Sequence, residues 1–127
     1  TRWSWRHLVI LCLLMTGLRW LIVGVFPSAF VAQFFAQTIH ALSFGLFHMI
    51  AMRVIFQNFS AAQQGRGQAL YSTMWGLGVA SGSILAGYYW DKIGGETIFM
   101  FAAASTLFGL LLIFGLPNKV EQSKISS

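Results

Sequence analysis

Four long apolar runs, at about 7–26, 30–56, 68–90 and 97–116, take up nearly the whole chain. A helix rises about 1.5 Å per residue, so about 20 apolar residues cross the hydrocarbon core of a bilayer. Each run is long enough to do so. Between them lie short breaks: Pro27-Ser28 after the first, a polar linker at 57–67, and Asp91 to Glu96 after the third. Pro117-Asn118 closes the fourth run. The chain therefore reads as an all-α integral membrane protein with four transmembrane helices.

Composition supports this and excludes its rivals. Charged residues make up 9% of the chain and hydrophobic ones 57%. A soluble domain usually carries about 25% charged residues, and a water-facing surface needs them. The net charge of +5 does not mark a nucleic-acid binder. Apart from Arg19, its cations stand singly at the ends of apolar runs rather than on one polar face. Arg2, Arg6, Arg53, Arg66, Lys119 and Lys124 fall on one side of alternating helices, with Lys92 on the other. By the positive-inside rule both ends of the segment are expected in the cytoplasm, with the helices in the cytoplasmic (inner) membrane. Asn58-Phe59-Ser60 would then face the cytoplasm, so its match to a glycosylation sequon is taken as chance. Arg2 and Arg6 before an apolar run could open a signal peptide, but the run is too long for one. The chain begins with Thr1 and is read as a piece of something longer.

The polar residues inside the runs bear on function. "AQFFAQTIHALSFGLFHMIAM" holds Gln33, Gln37, His40 and His48. With about 100° of turn per residue, these fall with Phe44, Phe47 and Ala51 on one stripe. On the third run Gln68, Ser72, Trp75, Val79, Gly82, Ser83 and Ala86 share a face. Leu70, Met74, Leu77, Ile84 and Leu85 lie opposite. Intramembrane polar groups beside aromatic rings suit a cavity that takes a small solute. The alternative is that they only bond neighbouring helices together. Gly78 and Gly82 form a small-xxx-small pair suited to close helix packing. Arg19 is a lone cation at membrane depth, costing about 3 kcal/mol unless partnered or snorkelled beside Trp20.

Other chemistries find little support. His40 and His48 are about 12 Å apart along a helix, too far to share a metal. Cys12 stands alone, "GLGVASG" lacks the preceding strand of a dinucleotide loop, and no hydrolytic triad can be assembled. No enzyme activity and no cofactor is expected. Asp91, Glu96 and Glu121 lie outside the apolar runs, so proton coupling would fall to a histidine or to a carboxylate beyond this segment.

"IHALSFGLFHMIAM" and "GRGQALYSTMWGLGVASGSILAGYYWDKIGG" resemble the C-terminal end of a major facilitator superfamily transporter, closest to its phenylpropionate permease-like branch. The features are His40, Phe44, Gly45 and His48, the loop Gly65 to Ala69 with Arg66, and Gly87 to Asp91. The resemblance implies helices nine to twelve of a twelve-helix fold, with ten and eleven lining the cavity. It implies a secondary active transporter of a small organic solute, aromatic or other organic acids included, with protons as candidate co-substrates. Partners would be the bilayer, the solute and the remaining helices. The expected pathway is Gln37, His40, Phe44, His48, Ser72 and Trp75, with Arg19, Arg66, Gly78, Gly82 and Asp91 structural or gating. The competing reading is a free-standing four-helix scaffold or subunit that binds other membrane proteins.

Overall fold

The computed structural model describes residues 4–115. Arg2, Pro117, Lys119, Glu121 and Lys124 lie outside the described residues. The described chain is helical with short turns: α1 (Trp5–Val25), α2 (Phe30–Asn58), a single 3-10 turn (Ala61–Gln63), α3 (Gln64–Ile93) and α4 (Gly95–Gly115). This is the expected all-α membrane class. By length and composition α1, α2 and α4 can each cross a membrane. α3 has the length, at 30 residues, but its glycines, serines and end charges make it the least apolar of the four. A helix lined by protein or water on one side need not be uniformly apolar.

The linker expected at 57–67 is mostly helix. α2 runs on through Asn58, and α3 begins at Gln64. Gly67 lets the two helices meet closely there. A Cβ at Gly67 would stand 2.9 Å from Ile55 Cγ2 and 3.1 Å from the Phe59 ring. Without one, the first turn of α3 seats directly on the end of α2. At the other end α3 meets α4 through Gly94, whose φ of 80° and ψ of 151° only glycine holds without strain.

α1 is the centre of the bundle, packed along both α2 and α4. Lipid gives helices no hydrophobic reason to associate, so close backbone approach must do it. Gly17 and Gly24, seven residues apart, provide that approach. A Cβ at Gly17 would lie 2.7 Å from Thr106 Oγ1, and one at Gly24 would lie 2.8 Å from Met100 Cε. Gly109 does the same from α4, against Leu13. On α2 the buried residues Ala36, Ser43 and Ile50 repeat every seven positions, along one line of the helix. Ile50 packs with Val9 and Cys12, flanked by Trp5, Leu8, Leu46, Phe47, Val54 and Ile113.

These contacts set the polarity of the bundle. Arg6 Nη2 donates to the Ile113 carbonyl at 2.8 Å, tying the start of α1 to the end of α4. That end also carries Arg53 and Arg66, while Asp91, Lys92 and Glu96 lie at the other. Most of the large apolar side chains of α4, including Phe108, Leu111 and Phe114, are exposed, as suits a lipid-facing helix.

Candidate functional site

α3 touches α2 and α4 far less than α1 does, and beyond Gly67 it has no buried residue. Where α3 does meet α2, the contact is built of rings. Phe44, Phe47 and His48 recur at three- and four-residue spacing on α2, so they share a face. Tyr71 and Trp75 do the same on α3. The His48 ring lies 4.2 Å from Phe44 and 4.7 Å from Trp75, centroid to centroid, nearly perpendicular to the latter. Trp75 is also 5.5 Å from Phe44 and 6.4 Å from both Phe47 and Tyr71. His40 extends the row toward the opposite end, 5.5 Å from Phe44. Edge-to-face pairs at such distances contribute about 0.5–1.5 kcal/mol each beyond their buried area.

One hydrogen bond crosses the interface. The Tyr71 hydroxyl lies 3.1 Å from His48 Nδ1. Beside it is a hollow of about 300 Å³ lined by His48, Met52, Gln68, Tyr71, Ser72 and Trp75. Its walls offer an imidazole, an amide, two hydroxyls and an indole next to flat apolar surface. That mixture can hydrogen-bond a small solute and pack on its rings. No cluster of metal-ligating side chains occurs among the described residues.

The expected pathway residues are thus placed unequally. His48, Ser72 and Trp75 line the hollow, Phe44 backs it, and His40 reaches it through Phe44. Gln37 is exposed on α2, away from the hollow. Tyr71 was not among the expected residues. It lies one turn from both Gln68 and Trp75, and that spacing could have signalled it. The larger hollow, about 440 Å³, lies between α1 and α4. Its lining is apolar apart from Thr106, whose hydroxyl is already bonded to the Ala103 carbonyl. It offers a polar solute no partner.

The structural candidates fall elsewhere. The Arg19 guanidinium lies 4.0 Å from the Trp20 ring centroid, a cation–π contact. Its Nε is the one buried polar side-chain atom without a partner among the described residues. Arg66 and Asp91 are exposed at opposite ends of α3. A Cβ at Gly78 or Gly82 would meet open space, so no described helix uses that pair. Within this segment, close packing is achieved by Gly17, Gly24 and Gly109 instead.

The sequence profile described as MFS_1 like family matches residues 1–101, which span α1 to α3 and the start of α4. No curated protein and no solved structure matches the chain.

Proposed function

Because the chain belongs to the MFS_1 like family of the major facilitator superfamily, and so to membrane transporters rather than enzymes, we propose that it forms helices nine to twelve of a twelve-helix secondary transporter. Its solute is a small organic molecule. The likeness to the phenylpropionate permease-like branch makes aromatic and other organic acids the first class to test, with protons as the first coupling ion. The end carrying Arg6, Arg53 and Arg66 faces the cytoplasm of an inner membrane, by the positive-inside rule.

The observation that carries this reading is the ring-and-imidazole contact between α2 and α3 beside a partly polar hollow. His48, Ser72 and Trp75 line it, Phe44 backs them, and His40 and Gln37 continue the path along α2. His40 and His48 hydrogen-bond the solute or exchange protons, and Phe44 and Trp75 pack on its apolar part. Gly78 and Gly82, open in this segment, receive helices of the remaining transporter. Arg19, Arg66 and Asp91 serve the bundle or its gating rather than the solute. Rocking of one half against the other would alternate access to the site.

The test uses the intact protein. Phe44→Ala and His40→Ala are each assayed for solute uptake and for abundance in the membrane. Lost uptake at normal abundance supports the path. Unchanged uptake removes it, and a parallel fall in both measures favours a packing role. Thermal stabilisation across a panel of aromatic and aliphatic acids then selects the solute.

A further inference from the structure

The hydrogen bond between Tyr71 and His48 fixes more than the distance between two helices. Neutral imidazole has one N–H and one bare nitrogen, and the partner of one nitrogen decides the state of the other. His48 Nδ1 faces the Tyr71 oxygen at 3.1 Å. A phenol is a good donor and a poor acceptor compared with a bare imidazole nitrogen. The favoured arrangement is therefore O–H donating to Nδ1, which places the ring proton on Nε2. Nε2 makes no hydrogen bond to any described residue, and it is not among the buried unpartnered atoms. His48 also lines the hollow of about 300 Å³. The ring itself is held on three sides, by Phe44 at 4.2 Å, Trp75 at 4.7 Å and Tyr71 at 5.5 Å.

The geometry points to Tyr71 as a positioning residue. Its hydroxyl holds His48 as the Nε2–H tautomer, and Nε2–H is the donor offered to an acceptor oxygen of the solute. The second half of this statement rests on the transport reading above. The first half is a property of the protein alone. The solute is then one that presents a carboxylate, carbonyl or hydroxyl oxygen next to a flat apolar part.

The experiment uses the intact protein in bilayers, with histidine labelled with nitrogen-15. Imidazole nitrogen spectra distinguish the two neutral tautomers, and His48→Gln assigns the signal. Tyr71→Phe keeps the ring but removes the hydroxyl, and uptake is measured alongside with and without that change. The wild-type spectrum is expected to show Nε2–H at His48. Tyr71→Phe is expected to mix the tautomers and raise the uptake KM about twofold, as when the competent tautomer falls to about half of the population, at unchanged abundance. A wild-type signal from Nδ1–H overturns the assignment, and that spectrum decides it even if Tyr71→Phe accumulates poorly. Nε2–H in both proteins overturns the positioning role. A tautomer change with uptake unaltered keeps the positioning and overturns the solute contact, which separates this inference from the transport reading.

Discussion

Gly17 is where the bundle has the least room to give. An added methyl would sit 2.7 Å from Thr106 Oγ1, against an ordinary contact of 3.4 Å or more. The neighbour cannot swing away easily. Thr106 is β-branched, buried, and bonded through that same oxygen to the Ala103 carbonyl. The Gly17→Ala protein must therefore move α1 off α4 or break the Thr106 bond. Overpacking of this kind costs about 1–3 kcal/mol, while alanine regains about 1 kcal/mol of helix propensity. Because Thr106 has little room to give, the cost is taken from the upper part of that range, about 2–3 kcal/mol, and the net expectation is a loss of about 1–2 kcal/mol. Thr106→Ala removes the clashing oxygen, so the double variant should recover most of the loss, a coupling of at least about 1 kcal/mol. Unfolding of the intact protein in detergent, followed by tryptophan fluorescence or thermal aggregation, reads both quantities. A neutral or stabilising Gly17→Ala would refute the close-approach argument. So would a loss that Thr106→Ala leaves unrepaired.

Three further expectations use the same unfolding assay. Gly78→Ala meets nothing within 4 Å among the described residues, so it should be neutral or slightly stabilising in this bundle, and a cost there would support the proposed packing against further transporter helices. Gly94→Ala places a side chain at φ 80° and ψ 151° and should cost about 1–3 kcal/mol, with protease cleavage increasing at the α3–α4 turn. Trp20→Leu removes both the Arg19 contact at 4.0 Å and the stack on Phe99 at 5.5 Å. It should cost about 1–2 kcal/mol, and Arg19→Leu made in that background should cost less than it does alone.

Much of this architecture can be read directly from the residues. Four apolar runs and two turn signals give four helices, because a backbone in lipid must satisfy its own hydrogen bonds. The stripes of α2 and α3 are legible for the same geometric reason. What is less legible depends on partners. Polar residues at 57–67 resemble a loop, yet Gly67 lets Ile55 and Phe59 draw α3 onto α2 and helix replaces most of the linker. Periodicity counts apolar residues, so it passes over Gly17 and Gly24, whose contribution is the absence of a side chain. It draws the eye to Gly78 and Gly82, whose spacing is a familiar signature but which meet no described helix. Tyr71 gains its importance from a nitrogen on another helix, which spacing along α3 alone does not reveal.

In the proposed transporter the ring-lined faces of α2 and α3 meet water and solute, while the outer face of α4 meets lipid. Substituted-cysteine labelling tests this in the intact protein, with Cys12 replaced by alanine. Cysteines at Phe44 and Ser72 should react with a hydrophilic, membrane-impermeant maleimide, and a transported solute should slow that reaction. A cysteine at Phe108 should stay unlabelled. Rapid labelling at Phe108, with Phe44 and Ser72 inert while a cysteine at Ser60 reacts, would contradict the account.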